Sequence, residues 1–154
     1  MVDQLVSPLH ERHRARLQCR RGCSGCCVDG ITVFEIEAAR IAAEFPEVLA
    51  STPHPPGACA FLDDEGACRV YAARPYVCRT QGLPLRWVEE RAGRVLERRD
   101  ICPLNEPGPP ISALEKDDCW ALGPVEQRLR AAQEAQDGGE GRRVALRALF
   151  EREA

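Results

Sequence analysis

Nine cysteines are the side chains of this sequence best suited to chemistry, and four of them are crowded into nine residues as Cys19-x3-Cys23-x2-Cys26-Cys27. A run that dense is not a set of evenly buried core cysteines. Gly22 and Gly25 stand between the thiols and allow the tight turns that aim several sulfurs at one centre. Cys-x2-Cys knuckles of this kind suit tetrahedral zinc or iron. Neighbouring side chains usually diverge, so Cys26 and Cys27 need not ligate one ion. They suit two sites or a multi-metal cluster equally.

A second group follows at wider spacing, Cys59-x8-Cys68-x9-Cys78, with Cys102 further on. These spacings carry little weight alone. Together with the first group they make eight thiols, enough for two four-thiolate sites or for one site plus spares. Cys102 precedes Pro103, and a Cys-Pro step is common beside iron–sulfur clusters. Cys119, in DDCWALG, reads instead as a small buried hydrophobe beside Trp120.

The compartment decides between metal and disulfide. Residues 1–18 hold no apolar core of an export signal: Leu5, Val6 and Leu9 are separated by polar residues, and Arg12, Arg14 and Arg16 follow. No stretch approaches a membrane span. The expected location is the reducing cytoplasm, where disulfides rarely persist, so metal ligation is favoured. An odd number of cysteines also leaves one outside any fully paired scheme.

The pattern C-x3-C-x2-CC, followed by C-x-F-L-x-x-x-G-x-C-x-V-Y-x-x-R-P-x-x-C-R, resembles the YkgJ-like CxxCxxCC family of zinc- or iron-chelating proteins. The resemblance runs from Cys19 to about Cys102. It implies Cys19, Cys23, Cys26, Cys27, Cys59, Cys68, Cys78 and Cys102 as metal ligands and leaves Cys119 as an extra. The same cysteine signature is similar to that of flagellin lysine N-methylases, which implies an iron–sulfur cluster of the 4Fe-4S type. This chain shows no obvious catalytic domain beside it. The resemblance therefore implies a cofactor class, iron–sulfur or zinc, and no reaction.

Charged residues around these thiols have two readings. Arg12, Arg14, Arg16, Arg20 and Arg21 crowd into ten residues, as a solvated basic face or as cations beside a thiolate site. Arg74 and Arg79 flank Cys78 and suit charge compensation, since a four-thiolate zinc site carries about −2. Asp63, Asp64 and Glu65 read as a solvated loop tip, His54 as a minor ligand candidate, and His10 and His13 as surface or core-edge residues. Tyr71 and Tyr76 are expected to pack over the cluster. A net charge of −3 and only 5% aromatic residues argue against a nucleic-acid partner. No Ser/His/Asp set, phosphate-binding glycine loop or recognisable carboxylate pair points to catalysis.

Elements must position these residues. At 154 residues, 44% hydrophobic, the chain fits one domain, with a motif core over 19–102 and a helical extension over 111–154. Ser7-Pro8 reads as a helix start, with Leu9, His13 and Leu17 on one face of a helix ending near Leu17. Residues 19–30 read as a loop and 31–33 as a short extended piece. A helix over 34–45 places Ile36, Ala39 and Ala43 on one face and stops at Pro46. Residues 51–58 are a Pro-rich connection, and 59–82 are expected to be mostly loop. Strands over 83–90 and 94–99 join around Arg91-Ala92-Gly93 as a hairpin. Two C-terminal helices are expected, over 124–136 (Val125, Leu129, Ala132 on one face) and 142–152 (Leu146, Leu149, Phe150), with a break at 137–139. The sum is an α+β, irregular, cysteine-rich metal-binding domain with a hairpin and flanking helices.

Overall fold

A computed structural model describes residues 2–151. The elements run α1 (Val2–Arg12), β1 (Thr32–Phe34), α2 (Glu35–Glu44), α3 (Pro46–Leu49), α4 (Tyr76–Thr80), β2 (Leu85–Arg91), β3 (Arg94–Asp100), β4 (Trp120–Ala121), α5 (Pro124–Asp137) and β5 (Arg143–Ala145), with short 3-10 turns between them. The fold is small and mixed α+β, as expected. No described helix is long and apolar enough to cross a membrane. The chain forms two compact units, 1–19 with 76–127, and 20–75 with 128–154.

In the first unit α1 packs on α4 and buries Val6 and Leu9. Helix α1 begins five residues before Ser7, so Pro8 lies inside it rather than at its start. Proline at that position forfeits one backbone bond. Burial of Val6 and Leu9 on either side, and an ion pair between Asp3 in the first turn and Arg79 on α4, hold the helix through it. The helix ends at Arg12, short of Leu17, and buried His13 binds the Asp118 carbonyl through Nε2 at 2.7 Å. Strands β2 and β3 pair in antiparallel register from Leu85↔Asp100 to Arg91↔Arg94. Their two-residue turn, Ala92-Gly93, has φ of 52° and 71°, the left-handed pair whose twist matches the strands. Strand β4 adds to β2 in parallel, and the Trp120 indole donates to the Tyr76 hydroxyl at 3.0 Å.

The core of the second unit gathers Val33, Ala38, Ile41, Phe61, Val70, Leu146 and Leu149. Helix α2 buries Ala38 and Ile41, while Ala39 and Ala43 face solvent, so the expected face is displaced around the helix. Pro46 ends α2 and then opens α3 as its first residue.

The expected helix over 142–152 is replaced by β5 and a 3-10 turn over Arg147–Phe150, with Arg152 outside the described residues. Val144 and Leu146 also stand at strand spacing, and β1 offers an unpaired edge: Thr32↔Ala145 through Phe34↔Arg143. A long-range partner decides what local periodicity leaves open.

Asp137 makes the turn into β5. Its carboxylate accepts the N–H groups of Glu140, Gly141 and Arg142 at 2.7–3.1 Å. Burial raises its pKa, but these amides and the Gln133 side chain outweigh that and hold it at about 2. The unfolded carboxyl titrates near 3.8, so this stabilisation is complete above that pH and lost as pH falls from about 4 towards 2. Asp137→Ala should therefore flatten the acid limb of a stability–pH profile measured by urea unfolding. Parallel wild-type and variant curves below pH 4 would contradict this.

Candidate metal centre

In the second unit, local turns set the first cysteines. The Cys23 N–H bonds the Arg20 carbonyl at 2.9 Å and the Cys27 N–H bonds the Ser24 carbonyl at 2.8 Å, so two successive turns each close on a cysteine. Gly22 has φ of 82°, and a Cβ there would lie a tight 3.3 Å from the Glu65 carbonyl oxygen. The reciprocal approach of Gly66 would bring its Cβ 3.4 Å from the Gly22 oxygen. The two loops thus meet backbone to backbone. Arg21 lies 3.9 Å from both the Asp63 and the Glu65 carboxylates across the same approach.

Asp63 corrects the reading of a merely solvated loop tip. Its Oδ1 accepts the Glu65 and Ala67 N–H groups at 3.0 and 2.7 Å, folding the turn that returns Cys68 opposite Leu62. The Cys59 N–H donates to the Cys27 carbonyl at 2.9 Å, which ties the second cysteine group to the first. Cys27, Cys59 and Cys68 all pack against the core of this unit.

The electrostatics divide these thiols. A hydrogen bond from the Cys27 side chain, aided by a backbone N–H and opposed by burial, lowers the Cys26 pKa to about 6. Cys26 is therefore largely thiolate at neutral pH. Burial pushes Cys59 and Cys68 the other way, although the N–H groups of Phe61 and Val70 are directed at their sulfurs. Charge on Cys59 raises Cys68 further, so the two thiols are neighbours. Arg69 acts on both, with Arg147 on Cys59 and Arg74 on Cys68. Arg147 also grips Asp29 through Nε at 2.9 and 3.0 Å, and the carbonyls of His54, Pro55 and Ala58. It fixes the connection that leads into Cys59.

In the first unit Cys19, Cys78 and Cys102 lie on separate segments joined by buried Asn105. Its side chain accepts the Gln18 N–H at 2.7 Å and donates to the Gly82 carbonyl at 2.8 Å. Its own N–H donates to the Cys102 carbonyl at 2.8 Å. Cys78 sits on α4, where a loop was expected. Cys119 is buried beside Trp120, as expected, and burial raises its pKa.

The other residues singled out in the sequence have partners of their own. Arg74 is among the cations that act on Cys68, and its guanidinium covers the Tyr71 ring at 3.9 Å. Arg79 is buried and pairs with Asp3. Tyr71 is 64% exposed. His54 turns its ring towards the Pro55 carbonyl at 3.2 Å. The arginine-rich stretch is not one solvated face: Arg12 pairs with Asp118 at 2.6 Å, and buried Arg16 donates to the Asn105 and Glu106 carbonyls. Asn105, Arg69 and Arg147 were not singled out in the sequence. The Cys102-Pro-Leu-Asn run gives no local sign that its Asn reaches Gln18 and Gly82.

None of the nine cysteines is joined in a disulfide. Among the described residues, no three His, Cys, Asp or Glu side chains already converge as a group able to hold a metal ion. The donors nevertheless fit zinc or iron in chemistry: soft sulfur ligands, one held as thiolate, with backbone N–H groups aimed at two others.

Residues 18–103 match the sequence model of the CxxCxxCC family, described as a "putative zinc- or iron-chelating domain". No curated protein and no solved structure matches the chain.

Proposed function

We propose, from the premise that this chain belongs to the CxxCxxCC family, that it is a metal-binding module without a catalytic role of its own. Its ligands are drawn from Cys23, Cys26, Cys27, Cys59 and Cys68 in the second unit and Cys19, Cys78 and Cys102 in the first. The observation that carries this reading is the backbone bond from Cys59 to Cys27, which brings the two cysteine groups of the second unit onto one core. Metal completes the site by drawing sulfurs into a coordination sphere and displacing protons from the buried Cys59 and half-buried Cys68 thiols. Affinity therefore rises with pH. Thiolate ligation also requires a reducing setting, in keeping with a cytoplasmic location.

The cofactor is an iron–sulfur cluster in preference to zinc. The adjacent Cys26 and Cys27, the Cys102-Pro103 step and the signature resembling that of the methylases support it. Anaerobically purified protein should be brown and contain iron with acid-labile sulfide. A colourless protein with stoichiometric zinc overturns the cluster and keeps the module. A well-folded protein that takes up neither metal overturns both.

The second reading is an electron-transfer component or accessory subunit, favoured by Arg69, Arg74 and Arg147 beside the thiols, since positive charge stabilises a reduced cluster. A reversible one-electron couple with the fold retained in both states would establish it. A nucleic-acid binder is disfavoured because Arg12 and Arg16 are engaged within the protein.

A further inference from the structure

We propose that Asn105 is a positioning residue for the thiols of the first unit, holding the Cys19 sulfur by a side-chain N–H donor while it clamps the segments that carry Cys78 and Cys102. The inference rests on the metal-binding reading above and concerns how the protein prepares one ligand. Asn105 is fully buried, at 0% exposure. Its Nδ2 is 3.5 Å from the Cys19 Sγ and 2.8 Å from the Gly82 carbonyl, while its Oδ1 takes the Gln18 N–H at 2.7 Å. The partners fix the amide orientation. The Gln18 N–H only donates and the Gly82 carbonyl only accepts, so the NH2 end must face Gly82 and the sulfur. The main chain is engaged too: the Asn105 N–H donates to Cys102, and its carbonyl accepts Arg16 Nε at 2.9 Å.

The surroundings leave this arrangement little freedom. Gly82 has φ of 90°, and a Cβ there would lie 2.6 Å from the Cys19 Sγ and 3.1 Å from Asn105 Nδ2. Glycine is therefore needed for the sulfur and the amide to meet. A buried asparagine that merely closed a loop would need only its two backbone partners. The donor towards sulfur adds what a ligand thiolate requires: an N–H that offsets its charge and fixes its direction.

The test uses the full chain and Co2+ as probe, with Asn105→Asp, Asn105→Ala, Gly82→Ala and Cys19→Ser. Two readouts are taken: Co2+ affinity with its thiolate-to-cobalt absorption, and hydrogen exchange of the Gln18 amide in protein saturated with Co2+. Asn105→Asp keeps the acceptor for Gln18 and loses the donor to the Cys19 sulfur and to the Gly82 carbonyl. It should retain Gln18 protection yet lose about 10- to 100-fold in Co2+ affinity, with an altered absorption band. Asn105→Ala should lose both. In the Cys19→Ser background, Asn105→Asp should add little further loss, because its target is gone. Gly82→Ala keeps the Asn105 amide but crowds both the Cys19 sulfur and Asn105 Nδ2, and should show a comparable affinity loss, which keeps the test decisive if an Asn105 variant fails to fold. Wild-type affinity and spectrum in Asn105→Asp, or full additivity with Cys19→Ser, overturns the positioning role alone. Wild-type protein that binds neither Co2+ nor iron with acid-labile sulfide overturns the metal-binding reading and this inference with it.

Discussion

Removing the metal should unfold much of this protein. The sequence holds only two Trp, two Tyr and four Phe, so its cores contain few of the large side chains that carry most burial energy. The loops over 20–27 and 59–68 are held by backbone contacts and turns around glycines, with five thiols among them. Forming a structural thiolate site contributes about 10 kcal/mol or more, comparable with the roughly 5–15 kcal/mol that stabilises an entire domain. Chelation under reducing conditions is therefore expected to shift the urea midpoint strongly downward or abolish the cooperative transition. Re-addition of the native metal should restore it. Circular dichroism with and without chelator measures both, and an unchanged midpoint in fully metal-free protein would refute the metal-dependent fold.

Ligand thiols should separate sharply from the structural one. Cys26→Ser removes the group with the lowered pKa, and Cys78→Ser removes the thiol presented by α4. A hydroxyl replaces a thiolate poorly as a zinc or iron ligand, so each change should cost more than the roughly hundredfold typical of lost outer-shell partners. Cys119→Ser should leave metal content unchanged. It places a hydroxyl in the buried position beside Trp120, at a cost of about 1–3 kcal/mol in stability. Metal analysis and urea unfolding of the three variants give the comparison. Equal metal loss in all three would place Cys119 among the ligands.

The amino-acid sequence by itself determined the features that depend on neighbours along the chain. The thiol spacing from Cys19 to Cys102 specified a metal-binding family, because ligand geometry demands soft donors at short intervals between flexible residues. The hairpin was legible for a related reason: Ala92-Gly93 sits between two strand-forming runs, and the turn lies where the sequence placed it. The breaks at Pro46 and at 137–139 were equally local.

The tertiary structure decided what depends on distant partners. Residues 143–145 are a strand because β1 is there to pair with them, although their apolar spacing also fits a helix. Pro8 lies inside α1 because burial and the Asp3–Arg79 pair sustain the helix around it. The same holds for the site. Arg147 reaches back to Asp29 across 118 residues, and Asn105 to Gln18 across 87. A side chain that hydrogen-bonds over such separations leaves no period or motif in the chain. Sequence therefore points to the family and its candidate thiols, while the side chains that contact those thiols emerge only when distant segments fold together.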